Sequence, residues 1–122
     1  MASGRRDAMH ELSLVESILE IVDEYAAKDG FTRVTSLRLS CGKLSSVVPQ
    51  ALSFAFDVQS KGTRAAGAAL ELEILPAVIH CLACEKDFET DRFEGQCPVC
   101  KRFDVLLVGG TEELKLIELD VE

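Results

Sequence analysis

The chain has 122 residues, a formal charge of −8, 48% apolar residues and 6% aromatics, with no tryptophan. That apolar content excludes a disordered chain, and the length allows one compact domain or a small domain with an insert, its core built of Leu, Val, Ile and Ala. The acidic balance repels phosphate backbones, and the only basic clusters, Arg5-Arg6 and Lys101-Arg102, are too short to reverse it, so nucleic acid is excluded as a partner.

No apolar run reaches the roughly 18 residues that a membrane span needs. No apolar stretch follows Arg5-Arg6 as a secretory signal requires. The first predicted element is an amphipathic helix over 12–28. Leu14, Ile18, Ile21 and Tyr25 form one stripe, and Val15, Leu19, Val22 and Ala26 the next. Gly30 is its stop signal. A strand is predicted over 33–41, where Leu37, Leu39 and Cys41 alternate with Ser36, Arg38 and Ser40. Ser45-Ser46 breaks it. Pro49 then suits the first turn of a second helix, whose apolar face is Leu52, Ala55 and Phe56, widened by Phe54 and Val58.

Residues 69–75 alternate as a strand, with Leu70, Leu72 and Ile74 inward. The last segment, 112–121, is a strand whose alternation slips between Leu116 and Ile117, which predicts a bulge or burial on both faces. Pro76 and Gly109-Gly110 bracket 77–108, and all four paired cysteines fall inside that bracket. The expected fold is α+β: a small mixed three-stranded sheet with two helices, carrying an inserted four-cysteine, zinc-ribbon-like domain. The expected domains are 9–76 plus 109–122 for the body and 77–108 for the insert.

Cys81-x2-Cys84 and Cys97-x2-Cys100 are separated by twelve residues. Each tight Cys-x2-Cys turn aims two sulfurs at one point, and two such turns close a tetrahedron about a soft metal ion. The spacer is long enough for a short hairpin. With four protein ligands no position is left for water, so the ion is structural. Zinc fits, although spacing alone does not separate it from iron. The bland alternative is a pair of redox dithiols. Disulfides belong to oxidising compartments, and without a signal segment the paired spacing points to metal in the reducing cytoplasm. His80, beside Cys81, reads as a surface or supporting residue, or as a replacement ligand in another state. Cys41 has no partner in sequence and reads as a small core hydrophobe.

Met9-His10-Glu11 opens onto the first helix, and by itself it reads as no more than a capping or surface pair. In order along the chain come Met9-His10-Glu11-Leu12-Ser13-Leu14, Gly42-Lys43-Leu44-Ser45-Ser46-Val47, Ala55-Phe56 and the two cysteine pairs. This combination resembles the HypA/HybF family of nickel-insertion accessory proteins for [NiFe]-hydrogenase maturation, some of which also serve urease. The resemblance covers residues 9–121. It implies a nickel metallochaperone with transient Ni²⁺ held by His10, with Met9, Glu11 and adjacent main-chain nitrogens as further ligands. It also implies structural Zn²⁺ and delivery to the hydrogenase large subunit together with the GTPase HypB. The expected state is a monomer or weak homodimer in the cytoplasm, touching neither nucleic acid nor membrane.

The resemblance places Met-His-Glu at the chain start, where a free amine is a nickel donor. Here residues 1–8 precede it and are expected to be a disordered or artefactual extension. Two other functions compete. One is a zinc-stabilised docking module of a maturation complex with no functional nickel site of its own. The other is an enzyme, against which stand the absent nucleophile–base pair, phosphate loop and open metal site.

Overall fold

A computed structural model describes residues 2–91 and 93–122, with side chains given from His10 onward. Along the chain lie α1 (Ala2–Asp29), β1 (Val34–Gly42), α2 (Pro49–Gln59), β2 (Ala69–Leu75), β3 (Ala77–Cys81), β4 (Lys86–Thr90), β5 (Val105–Gly109) and β6 (Lys115–Val121). They divide into two compact units.

The first unit comprises residues up to Leu39, Ser46–Glu73 and Leu114–Glu122. Its sheet has the order β2-β1-β6. Arg33 meets Glu122 and Arg38 meets Glu118, so β1 and β6 are antiparallel. Arg38 also meets Glu71, and Lys43 meets Leu75, so β1 and β2 are parallel, joined through α2. The core is Val15, Ile18 and Val22 of α1, Val34, Leu37 and Leu39 of β1, Leu52, Ala55 and Phe56 of α2, and Ala65. Burying each large aliphatic side chain here contributes about 1.5–3 kcal/mol.

α1 begins ten residues earlier than its apolar stripe predicts, and its backbone is helical where residues 2–8 were expected to be disordered. Its buried face is Glu11, Val15, Ile18, Val22 and Ala26, a single row at helical spacing. Tyr25 is exposed, because the row turns away from it one residue before Ala26. Phe54 and Val58 of α2 face solvent, 69% and 45% exposed, because only the Leu52–Ala55–Phe56 side meets α1 and the sheet. Ile74 is exposed as well, since the buried alternation of β2 ends after Leu72. Leu114, just before β6, and Leu116 and Leu119 within it pack against the core. The three-residue step from Leu116 to Leu119 is the break in alternation that the sequence signals.

The second unit comprises Ser40–Ser45 and Ile74–Glu113. Its sheet, β4-β3-β5, is antiparallel throughout, with Ile79 opposite Phe88 and Leu107 and an irregularity between Val78 and Ile79. The spacer is long enough for a short hairpin, but among its described residues it forms none of its own. The spacer holds the single strand β4, which pairs back across the first cysteine turn with β3.

The end of β1 is tied into this unit through backbone. Gly42 N–H donates to Glu112 O at 2.8 Å, Lys43 N–H to Leu75 O at 2.8 Å, and Leu44 N–H to Gly110 O at 2.6 Å. A Cβ on Gly42 would lie 2.2 Å from Gly110 O and 2.7 Å from Glu112 N, which are backbone atoms that cannot swing aside. Gly42→Ala is therefore expected to cost about 3 kcal/mol through overpacking. Gly62→Ala, in open space but at φ +77°, is expected to cost about 1 kcal/mol through backbone strain alone. Urea unfolding of both variants measures the difference.

Candidate metal sites

Cys81 ends β3, and the chain then turns sharply through Leu82, Ala83 and Cys84. Cys84 N–H donates to Cys81 Sγ at 3.4 Å, and Glu85 N–H to Cys81 O at 2.7 Å. The second turn repeats this form. Cys100 N–H and Val99 N–H donate to Cys97 Sγ, each at 3.4 Å, and Lys101 N–H donates to Cys97 O at 3.1 Å. Both turns close with a left-handed residue, Glu85 at φ 58° and Lys101 at φ 66°. Neither is glycine, so each costs on the order of 1 kcal/mol that the turn must offset.

The four Sγ atoms lie within 4.8 Å of one another. Cys81 and Cys100 are 3.6 Å apart, and Cys84 and Cys97 are 4.0 Å apart. A tetrahedron with Zn–S bonds of about 2.3 Å has edges of about 3.8 Å. The donor set therefore fits a closed, structural zinc ion. Cys81 and Cys97 are completely buried.

The thiols do not ionise alike without a cation. Burial pushes Cys97 up, but the amides of Cys100 and Val99 outweigh it and bring this thiol down to about 6. Its neighbour Cys84 is pushed up to about 12, first by its hydrogen bond with Cys100 and then by burial. Four thiolates at this spacing repel one another, and a divalent cation at their centre removes that repulsion.

His80 stands apart from this cluster. Its Nδ1 lies 2.7 Å from Asp87 Oδ1, its partner across the β3–β4 pair. Cys41 is buried, as its place on the inward face of β1 predicts, and burial raises its thiol above the ordinary range.

The Met-His-Glu segment lies well inside α1. His10 is exposed, and its Nε2 is 3.2 Å from Ser46 Oγ. Glu11 is 0% exposed. Its Oε2 accepts the Val48 N–H at 2.8 Å, and its Oε1 is buried without a hydrogen-bond partner. Val48 is the N-cap residue of α2 and offers no side-chain cap; the carboxylate from α1 accepts the N–H of this cap residue itself. Glu11 thus sets its charge at the N-terminus of α2, where the helix dipole favours it. The Met9 side chain lies outside the described residues. Among those described, the four cysteines are the one group of three or more ligating side chains drawn together, and His10 and Glu11 belong to no such group.

Ser46 and Val48 were not legible as parts of this site. The one available signal was a helix opening on Val48-Pro49 with no Ser, Thr, Asp or Asn to cap it.

A family described as "Hydrogenase/urease nickel incorporation, metallochaperone, hypA" matches residues 9–121. The chain is 60% identical over 114 residues to the hydrogenase maturation factor HypA of Syntrophus aciditrophicus, covering 93% of this chain and 100% of that one. It is 40% identical over the same length and shares to the HypA of Albidiferax ferrireducens. Among solved structures, the solution structure of the Ni metallochaperone HypA from Helicobacter pylori superposes with a TM-score of 0.62 at 21% identity, covering 91% of this chain and 96% of that one. A second, titled "Solution structure of HypA protein", gives 0.68 at 22% identity, covering 93% and 97%. At those identities the likeness is one of fold.

Cys97→Ser is expected to empty the four-sulfur site and unfold the second unit, read as zinc per chain by elemental analysis and as lost amide protection in residues 74–113. Full zinc content in that variant would refute the four-thiolate assignment. Glu11→Ala is expected to cost about 1–2 kcal/mol in urea unfolding, because it removes the acceptor of the part-buried Val48 N–H and empties a fully buried side-chain position. Glu11→Gln, which keeps an acceptor, is expected to retain more than half of that stability.

Proposed function

We propose that His10 holds the nickel cargo of this chain, on the premise that the chain belongs to the HypA family of hydrogenase/urease nickel-incorporation metallochaperones. The protein is a nickel metallochaperone of hydrogenase maturation, and its four-cysteine cluster fits structural zinc. The observation that carries the His10 assignment is the state of the two histidines. His80 is paired with a carboxylate, Asp87, at 2.7 Å, while the exposed His10 ring meets a neutral hydroxyl, Ser46 Oγ, at 3.2 Å through Nε2. Imidazole and amide nitrogens suit Ni²⁺, with oxygen completing its shell. A single exposed ring also binds loosely enough to release its cargo.

Glu11 is a poorer ligand than its neighbour, because Val48 already engages one oxygen in a buried setting. Its free Oε1 is the atom that a metal or a water would reach. Inside α1 the main-chain N–H groups of residues 9–11 bond to carbonyls four residues earlier, whereas in a helix beginning at Met9 those of the first turn are free. Main-chain nickel donation therefore calls for a helix that starts there.

The finer assignments follow. Cys81, Cys84, Cys97 and Cys100 ligate zinc. Residues 77–108 form an inserted zinc domain in a body of 9–76 plus 109–122. The chain acts as an accessory protein with no catalysis of its own, as a monomer or weak homodimer. Its partners are a HypB-type GTPase and the hydrogenase large subunit, and the cytoplasm, where clustered thiols stay reduced, is its compartment. No described helix is long and apolar enough to cross a membrane.

A second reading, a zinc-stabilised docking module without its own nickel site, draws support from the cysteine turns. Leu82, Val99 and Phe103 stand 55%, 64% and 75% exposed on or beside them.

Nickel titration of the zinc-loaded protein separates the two readings. His10→Ala is expected to lose at least about tenfold in nickel affinity, with zinc content and circular dichroism unchanged. A chain beginning at Met9 is expected to bind nickel more tightly than the full chain. Nickel binding that survives His10→Ala in both chains would move the site elsewhere. No specific binding in either wild-type chain would favour the docking module.

A further inference from the structure

We infer that Ser46 is a positioning residue for the nickel cargo: by holding Nε2 of His10 it makes Nδ1 the ring nitrogen that meets the metal. The inference rests on the assignment of nickel to His10 and adds to it the residue that fixes the ring's pose and tautomer.

Two adjacent residues of α1 reach the same loop. His10 meets Ser46 through Nε2 at 3.2 Å, and Glu11 accepts the Val48 N–H at 2.8 Å. The Glu11 side chain is fully buried and its bond to Val48 part-buried, so it anchors Val48, two residues from Ser46, against the helix more firmly than the exposed contact alone would. Ser46 thereby stands at a fixed place relative to the His10 ring and restricts its two side-chain torsions. A ring already turned toward its binding pose loses less rotamer freedom when the metal arrives.

The choice of nitrogen follows from proton accounting. A neutral imidazole has one N–H and one lone pair. If Ser46 donates to Nε2, the proton sits on Nδ1 and that nitrogen cannot ligate. If Nε2–H donates to Ser46 Oγ, Nδ1 carries the free lone pair. Metal binding at Nδ1 and acceptance by Ser46 thus select the same tautomer, the arrangement in which the second ring nitrogen of a metal-binding histidine donates to a fixed acceptor. Nδ1 is also the nitrogen separated from the residue's own main-chain nitrogen by only Cγ, Cβ and Cα. A metal on Nδ1 can therefore close a small chelate ring with that nitrogen, and one on Nε2 cannot.

The test uses zinc-loaded chains, both full length and beginning at Met9, with Ser46→Ala, Ser46→Thr and His10→Ala beside wild type. Ni²⁺ affinity is measured by titration, and the His10 tautomer by ¹⁵N imidazole shifts. Expected is an affinity loss of about fivefold in Ser46→Ala, modest because the hydrogen bond is exposed, with recovery in Ser46→Thr. The nickel-free ring is expected to shift from Nε2–H toward a mixture of tautomers in Ser46→Ala. Unchanged affinity and tautomer in Ser46→Ala, while His10→Ala loses nickel, would overturn the role of Ser46 and leave the His10 assignment standing. An affinity loss with no tautomer change, or one that Ser46→Thr fails to recover, would also overturn it. Nickel affinity unaffected by His10→Ala would remove the assignment itself.

Discussion

The second unit depends on four sulfurs drawn within 4.8 Å of one another, because little else is available to hold it. Its buried apolar residues are Cys41, Ala77, Ile79 and two of the cysteines themselves. A core that small does not offset the conformational entropy of ordering the strands around it. The two cysteine turns carry further costs, a left-handed Glu85 and Lys101 and four sulfurs whose thiolates repel one another at this spacing. A tetrahedral cation answers all of these at once, since it cross-links both turns, neutralises the thiolates and fills the centre of the unit. Its binding free energy is then folding free energy.

The first unit is built on the opposite principle. It has an ordinary aliphatic core between two helices and a mixed sheet, and no clustered ligands among its described residues. Its one costly feature is a carboxylate with no exposure, Glu11, set against the N-terminus of α2. That contact fixes the loop after β1 to α1 and leaves His10, one residue earlier, on the surface. A buried neighbour that cannot move and an exposed ring that can release its cargo make a sensible pair for a carrier. The zinc set is closed and soft; the proposed nickel set is open and rich in nitrogen. The two proposed donor sets differ in softness and in geometry, the terms on which a site selects its metal.

Much of this was legible in the sequence. The cysteine spacing gave a cluster of the right size, and helical and strand periodicity placed every element of the first unit, including the broken alternation of β6. What failed was direction. Tyr25, Phe54 and Ile74 sit at apolar positions in the pattern yet face solvent, because periodicity cannot say where a helix or strand leaves the surface it packs on. Glu11 failed in the other sense: a charged residue at the head of an apolar row reads as a solvent-facing start. Its burial depends on a helix N-terminus thirty-odd residues away in sequence, which no local pattern contains. Ser46 was hidden for the same reason, as its partner lies on another element.

The claim that zinc and nickel occupy different donor sets is tested most directly by X-ray absorption at both metal edges of one sample loaded with both ions. The account predicts a zinc shell of four sulfurs near 2.3 Å and a nickel shell of nitrogen and oxygen with imidazole scattering. Sulfur in the nickel shell, or fewer than four sulfurs about zinc, would contradict it.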